Sequence, residues 1–371
     1  MSRTVAVTVL TGTPGNDGAH AFDQIVKHSG DVQLSAIVPK RSRKRKRPSG
    51  EVKVIPTTEH LVRLGQGCSC CTVRGDLMAK VQRIAEEQSA EHILIHASPH
   101  ADLQTLAKTF TVADDNGAVL SDLARIGSLV TVVNAARFFE TVGGANARAM
   151  IERIELSNVV LLEGTAGIDN DEVERVRGAV TALNAGASIV LADGIELDLT
   201  SLRAQQPFDL NLAEERASGA GVSGDVASGT VRFSFEARRP FHPSRLFDLL
   251  GDLGHGILRL KGTIWVATKP DYACALDMAG GNRTFVPEGQ WWATVPEHEL
   301  PNRPDLKSYL ESVWHPDFGD RHQSISIVGV GIDEGVIRAC LQAALLTDSE
   351  VESRDTWASM PDPLPWPAAA N

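Results

Sequence analysis

The strongest constraint on this fold is an apolar strand, a glycine-rich turn and a helix in immediate succession. Val5–Leu10 is an almost continuous apolar run, which is typical of a strand buried on both faces of a parallel sheet. The turn that follows contains Gly12, Gly15 and Gly18, and a helix is predicted from about Ala19 to His28. This order of elements is the layout of a phosphate-binding loop.

Strand-like and helical segments continue to alternate through the first half of the chain. Helices are predicted at Asp76–Gln88 and Asp171–Leu183. Further strands are predicted at Gln33–Val38, His92–His96, Leu129–Asn134, Asn158–Leu162 and Ser188–Ala192. The alternation predicts an α/β domain over residues 1–204, in which helices cover both faces of a mostly parallel sheet.

The second half of the chain has a different character. Residues 205–230 include a Gly-, Ser- and Ala-rich stretch without periodicity, and are predicted to form a flexible linker. Residues 231–360 mix strand-like and helical segments, which predicts a smaller α+β domain. The Pro-rich residues 361–371 are predicted to be a frayed tail.

The charge of the chain is unevenly distributed. Seven basic residues lie within eight positions, here called the basic run: Lys40, Arg41, Arg43, Lys44, Arg45, Lys46 and Arg47. Without them the chain has 29 Lys and Arg against 47 Asp and Glu, a net charge of −18 in place of −11. This contrast predicts an anionic partner such as RNA. Because no aromatic residue interrupts the run, sequence-specific DNA recognition is not expected; the alternative is a solvated loop without a partner.

Composition argues against a secreted or membrane-embedded protein. No apolar run reaches the roughly 18 residues that a membrane span needs, and the first ten residues do not have a signal-peptide pattern. Three of the five cysteines lie within four positions, which is not the spacing of a disulfide framework. A reducing cytoplasm is therefore the expected compartment.

The glycine-rich turn lacks the side chains of a working phosphate loop. On the G-x-x-x-x-G-K-[ST] frame that starts at Gly12, Asp17 replaces the second glycine, Gly18 the lysine and Ala19 the hydroxyl residue. A carboxylate at Asp17 would repel phosphates, and nothing supplies the missing cation. With Gly15, these residues form a degenerate loop that is not expected to bind a nucleotide. From this segment alone, the alternative is an unrelated turn between a strand and a helix.

A cysteine block points to a family. Gly67–Leu77 reads G-C-S-C-C-T-V-R-G-D-L and resembles the G-C-x-C-C-T-x-R-x-D-L signature of the CobW-like GTPases, which are tied to zinc and cobalt handling. Val130–Ala135 resembles the family's V-T-V-V-D-A strand, and Phe318–Arg321 and Trp291-Trp292 resemble its C-terminal domain. The resemblance covers roughly residues 4–360. It implies a P-loop-GTPase-like first domain and a CobW C-terminal domain.

The departures from the family pattern concern the nucleotide. The family's E-[ST]-S-G segment is His96–Pro99 here, its N-K-x-D segment is Glu163–Ala166, and Pro39 with the basic run replaces its acidic-Gly segment. The resemblance assigns these segments to magnesium, guanine and the switch. Losing one good transition-state stabiliser costs a factor of about 10² to 10³. The chain is therefore predicted to be a pseudo-GTPase rather than an enzyme, with no bound GTP.

The cysteines are candidate zinc ligands. Cys68, Cys70 and Cys71 could supply three thiolates to one Zn²⁺, which prefers tetrahedral sulfur and nitrogen coordination. The fourth ligand could be water, His20, His96 or His100. The alternative is that the cysteines are small packing residues in a tight turn. His92, Trp291 and Trp292 are predicted to be structural.

These features together resemble degenerate members of the family, and this resemblance implies a zinc-responsive adaptor. It would bind ribosomal RNA through the basic run and recruit a hibernation-factor protein to the ribosome during zinc starvation. The C-terminal domain would hold a protein partner. The alternatives are a GTP-dependent zinc metallochaperone and a zinc sensor or store without nucleic-acid contact.

Overall fold

A computed structural model describes residues 4–30, 32–39, 53–57, 76–111, 119–202, 206–217, 224–226, 229–253 and 256–366. They form two compact units. Unit 1 comprises Met1–Thr141 and Ala149–Ala217, and unit 2 comprises Val142–Arg148 and Ser218–Asn371. The basic run and the three clustered cysteines, Cys68, Cys70 and Cys71, lie outside the described residues.

Unit 1 is built on a parallel sheet, as predicted. Its described strands are β1 (Val5–Gly12), β2 (Leu34–Pro39), β3 (Lys53–Thr57), β4 (His92–Ala97), β5 (Ala124–Asn134), β6 (Val159–Glu163) and β7 (Ser188–Leu191). They pair in the order β3-β2-β4-β1-β5-β6-β7, and each pairing is parallel. The first strand therefore lies in the centre of the sheet, with β4 and β5 as its neighbours.

Helices cover both faces of this sheet. They are α1 (Ala19–Lys27), α2 (Asp76–Glu86), α3 (Leu103–Thr111), α4 (Phe138–Val142), α5 (Ala147–Leu156), α6 (Asn170–Leu183) and α7 (Leu210–Ala217). Val7 and Val9 of β1 are buried in the same core as α2 and α3, whereas Leu10 is buried in a second core with α1. Apart from Ala6, which is exposed, the apolar run is thus explained, because neighbouring side chains of β1 point to opposite faces of a covered sheet.

The predicted linker over residues 205–230 is wrong in its first part. Leu210–Ala217 forms α7, whose start is capped by Asp209 through the backbone amide of Leu212 at 3.1 Å. Phe208 and Ala213 are buried in the core shared with α2 and α3. Apolar side chains spaced to reach one face supply enough burial to order this segment, although Gly- and Ser-rich sequence follows it.

Unit 2 has the predicted α+β architecture. Its described strands are β8 (Gly224–Val226), β9 (Thr230–Ala237), β10 (Ile257–Ile264), β11 (Tyr272–Ala279), β12 (Asn282–Gln290) and β13 (Gln323–Val330). They form an antiparallel sheet in the order β12-β11-β10-β13-β9-β8. The accompanying helices are α8 (Pro243–Asp252), α9 (Pro304–Val313), α10 (Glu334–Ala344) and α11 (Asp348–Glu352). Apolar residues of α8 and α10 share one core with the sheet.

The family-like residues of unit 2 have structural roles. Asp320 is buried and accepts hydrogen bonds from the amides of Trp292 at 3.0 Å and Ala293 at 2.9 Å. Arg321 donates from Nε to the carbonyl of Pro270 at 3.1 Å. Trp291 is buried in an aromatic cluster, which confirms the structural role predicted for it.

The predicted frayed tail is wrong for residues 361–366. Leu364 is buried in the core of unit 2, and Trp366 packs edge-on against Phe285 at 5.6 Å. Asp362 accepts a hydrogen bond from the Trp366 indole at 2.8 Å. Burial of Leu364 and partial burial of Trp366 offset the entropy of ordering a Pro-rich end. Across the described chain, the helices are too short or too polar to span a bilayer.

Candidate functional site

The candidate site lies at the carboxyl edge of the parallel sheet of unit 1. The loops that leave β1, β4, β6 and β7 share this edge, because parallel strands all end on the same side. They correspond to residues 12–18, 97–102, 163–168 and 192–196. This edge therefore contains the degenerate loop and the segments that, by the resemblance, stand where the family's magnesium and guanine sequences are expected.

The loop after β1 is a closed turn. The Asn16 amide donates to the Thr13 carbonyl at 2.8 Å. The Gly18 amide donates to Asn16 Oδ1 at 3.1 Å, and the Ala19 amide donates to Asp17 Oδ1 at 2.9 Å. Amides of this kind are the anion donors of a phosphate loop. Here the loop's own carbonyl, carboxamide and carboxylate already accept from all three.

The glycines of the closed turn show how tightly it is folded. A Cβ atom at Gly12 would lie 1.9 Å from the Asn16 carbonyl oxygen, so the loop folds directly back over this residue. Gly18 has a φ of +70°, and its Cβ would lie 3.1 Å from side-chain carbons of both Leu10 and Val132. Gly15 has a φ of +94° and open space around it. At Gly18, the position that a phosphate-loop lysine would take, a side chain would therefore be crowded by Leu10 and Val132 and strained by the left-handed backbone.

His96 fastens β4 to the closed turn. Its Nε2 lies 2.7 Å from the Asp17 carbonyl oxygen, and since a carbonyl only accepts, Nε2 carries the hydrogen. The ring is buried and stacks on Phe22 with centroids 5.0 Å apart. His96 thus uses Nε2 to hold the loop, which removes that nitrogen as a zinc ligand.

The other predicted metal ligands receive no support from the described geometry. His20 and His100 are exposed. Among the described residues, no three His, Cys, Asp or Glu side chains are close enough to share a metal ion. Because Cys68, Cys70 and Cys71 are outside those residues, zinc binding by the cysteines stays a prediction. His92 bonds through Nε2 to Thr8 Oγ1 at 2.9 Å, which confirms its structural role.

Two carboxylates tie down the loops after β6 and β7. Glu163, at the end of β6, accepts from Asn16 Nδ2 at 3.2 Å. Asp193 accepts from Thr165 Oγ1 and from the Ala166 amide, each at 2.9 Å. Partial burial would raise the pKa of Asp193, but the hydrogen bonds from Ala166, Thr165 and Gly164 outweigh it and hold the pKa below its ordinary value.

The lowered pKa of Asp193 leads to a pH prediction. Because its folded-state pKa lies below the ordinary 3.8, Asp193 stabilises the fold above that pH and loses this contribution as the pH falls through the folded-state value. The stability difference between wild type and Asp193→Asn should be largest near neutral pH and shrink at low pH. Urea unfolding from pH 2 to 7 measures it.

The control for this titration is Glu87→Gln, whose side chain is exposed after α2. Its stability difference from wild type should stay small across the pH range. A wild-type advantage over Asp193→Asn that grows as the pH falls would contradict the assigned role of Asp193.

The four loops of the candidate site are acidic. The four loops contain five carboxylate residues and neither lysine nor arginine: Asp17, Asp102, Glu163, Asp193 and Glu196. A nucleotide triphosphate at this edge would meet negative charge without a compensating cation from these loops. These four loops therefore offer no side-chain cation to the nucleotide that the fold implies.

Sequence reasoning missed the contacts that close the site. Asn16 and Asp17 stand directly before a helix, and such residues commonly accept from amides two positions later, so the two local turns had a readable signal. The contacts of Asn16 with Glu163 and of Asp193 with Thr165 join residues 147 and 28 positions apart. No local pattern indicates either of them.

Comparison with known proteins agrees with this architecture. Residues 6–191 match the CobW/HypB/UreG nucleotide-binding domain, and residues 230–345 match the cobalamin synthesis protein CobW C-terminal domain. The chain is 26% identical to the zinc-regulated GTPase metalloprotein activator 1 of Dictyostelium discoideum, over 96% of this chain and 83% of that protein. It is 27% identical to a zinc chaperone of Mycobacterium tuberculosis, over 83% of this chain and 80% of that protein.

Superposition on the solved structure of Zn(II)-bound YjiA GTPase from E. coli gives a TM-score of 0.41 at 14% sequence identity. The superposition covers 93% of this chain and all of that one. The nucleotide-binding match alone spans half of the sequence, and the C-terminal match falls on the antiparallel sheet and helices of unit 2. The resemblance read from the cysteine block is confirmed: the chain belongs to the CobW/HypB/UreG family of GTPase-like proteins and carries a CobW C-terminal domain.

Proposed function

We propose that this chain is a non-hydrolysing member of its family that acts as a zinc-linked adaptor. The closed turn after β1 is the observation that carries this proposal. Its amides at Asn16, Gly18 and Ala19 already donate within the loop, and no lysine stands in the frame. A protein that cannot engage phosphates in this loop has no GTP cycle with which to drive a client.

The geometry at Gly18 supports a loss of phosphate binding that goes beyond the missing charge of the lysine. A lysine there would need a Cβ 3.1 Å from Leu10 and Val132 and a left-handed backbone, which side chains rarely adopt. Replacing glycine with lysine would therefore not restore the site without moving the loop. The backbone conformation at Gly18, in addition to the missing lysine, therefore differs from that expected of a working phosphate loop.

Zinc enters the proposal through the cysteines and the relatives. Cys68, Cys70 and Cys71 offer thiolates at a spacing suited to one Zn²⁺, and the relatives are named as a zinc chaperone and a zinc-regulated GTPase metalloprotein activator. The basic run offers a cationic contact for ribosomal RNA. In this proposal the adaptor brings a hibernation-factor protein to the ribosome when zinc is scarce.

The first test is direct measurement of GTP binding and turnover. Purified protein with Mg²⁺ and GTP is expected to show no calorimetric uptake and no phosphate release above the protein-free rate. A family member with an intact G-x-x-x-x-G-K-[ST] loop serves as the positive control. Magnesium-dependent GTP binding with turnover would remove the basis of the adaptor proposal.

The second test is ribosome co-sedimentation. Binding is expected to weaken steeply between about 50 and 200 mM salt and to be lost when the seven residues of the basic run become glutamine. The matched control replaces seven exposed basic residues elsewhere: Lys27, Arg83, Arg125, Arg177, Arg283, Arg303 and Lys307. Equal loss in both variants would show only a general charge effect and would sink the RNA contact.

The second candidate function is a GTP-dependent zinc metallochaperone, which the names of the relatives favour. It requires the nucleotide cycle that the first test measures. Zinc titration of a Cys68/Cys70/Cys71→Ser variant addresses the metal under either function. An affinity equal to wild type would exclude the cysteines from zinc binding.

A further inference from the structure

We infer that the four loops of the candidate site are braced into one conformation by their own side chains, so that these four loops do not switch with nucleotide. The inference rests on the proposed function and concerns the regulation of the same site. In nucleotide switches, the terminal phosphate and its magnesium bridge separate loops, which relax when the phosphate leaves. Here the bridging contacts are made by groups of the protein itself.

The first brace joins the closed turn to the end of β6. Asn16 accepts the Gly18 amide through Oδ1 and donates through Nδ2 to Glu163 Oε2 at 3.2 Å. One carboxamide therefore shapes the turn and anchors it. Since β5 separates β1 from β6 in the sheet, this contact reaches across the strand between them.

The second brace joins the closed turn to β4 and its loop. His96 donates from β4 to the Asp17 carbonyl at 2.7 Å, and Thr11 Oγ1 donates to the Ser98 carbonyl at 3.2 Å. Both Thr11 and His96 are buried, so water competes poorly for these bonds. The segment that would carry the family's magnesium carboxylate is held against β1.

The third brace joins the loops after β6 and β7 through Asp193, which accepts from Thr165 and Ala166. The three braces connect all four loops in series, from β4 through β1 and β6 to β7. A partner that recognises these four loops therefore meets the same surface with or without GTP. Regulation by zinc would act through another part of the protein.

The test is amide hydrogen exchange measured by mass spectrometry on peptides covering residues 12–22, 97–102 and 163–168. In wild type, neither Mg²⁺-GTP nor inorganic pyrophosphate should change the exchange. Glu163→Ala, which removes the acceptor for Asn16, should speed exchange in residues 12–22 by about tenfold. Glu163→Gln retains an acceptor oxygen at this positioning residue and should stay close to wild type.

A second variant covers the case in which Glu163→Ala fails to fold. Asn16→Asp keeps the acceptor for the Gly18 amide but sets a carboxylate against Glu163, so it should speed exchange as well. Wild-type exchange rates in the folded variant would overturn the brace and leave the proposed function intact. Slower exchange in wild type on adding Mg²⁺-GTP, together with GTP turnover, would overturn both.

Discussion

Gly12→Ala is expected to destabilise unit 1 by about 3 kcal/mol, near the upper end of the usual cost of overpacking. The added Cβ would lie 1.9 Å from the Asn16 carbonyl oxygen and 2.5 Å from the Asp17 carbonyl carbon. Both are backbone atoms, so no side-chain rotation relieves the clash. The closed turn must open, and the hydrogen bonds of Asn16, Asp17 and Gly18 are disturbed with it. Urea unfolding followed by circular dichroism measures the loss.

Gly167→Ala is the matched control, because Gly167 lies at the same edge of the sheet with nothing within 4 Å of its Cβ position. Its effect should remain below about 1 kcal/mol. The pair also tests the functional proposal. A Gly12→Ala protein as stable as the control would mean that the loop has room for more than its own side chains, and the case against phosphate binding would lose its geometric support.

Trp265→Ala is expected to destabilise unit 2 by about 3–5 kcal/mol, the usual range for truncating a buried aromatic residue. Trp265 is 2% exposed, and its indole donates to the Pro270 carbonyl at 3.1 Å. The ring packs edge-on against Phe318 at 5.6 Å and Trp357 at 5.8 Å. Its removal leaves a cavity that these rings cannot close by small shifts.

Trp314→Ala provides the control for this truncation, since the Trp314 side chain is 51% exposed. It should cost less than about 1 kcal/mol. Because the chain has two units that need not unfold together, the transition of unit 2 must be followed separately, for example by tryptophan fluorescence. Equal losses in the two variants would contradict the central position of Trp265 in this cluster.

The Trp265 cluster includes residues of the Phe318–Arg321 motif, through which the second domain resembles its family. Phe318 packs on the ring of Trp265, and the Arg321 guanidinium lies over the same ring at 5.6 Å. Asp320 binds the amides at Trp292 and Ala293. The Phe318–Arg321 motif therefore stabilises the domain, and its presence alone does not indicate a binding site.

Local pattern was sufficient for the architecture of both units. The apolar run Val5–Leu10 predicts a buried parallel strand because neighbouring side chains point to opposite faces, and in β1 Val9 and Leu10 do lie in different cores. The linker predicted from composition was wrong where it was extended beyond the Gly- and Ser-rich residues themselves. The Gly- and Ser-rich stretch does not include Phe208 or Ala213, and these apolar residues pack into the core of unit 1.

The sequence alone determined the family, the parallel sheet and the absence of the phosphate-loop lysine, because each depends on adjacent residues or on a local pattern of apolar residues. Only the tertiary structure decided which contacts hold the loop after β1 in place. Asn16 contacts Glu163 because only β5 separates β1 from β6 in the sheet. His96 contacts Asp17 because β4 pairs directly with β1. Such contacts depend on how distant segments are ordered in the sheet, and residue spacing along the chain does not contain that information.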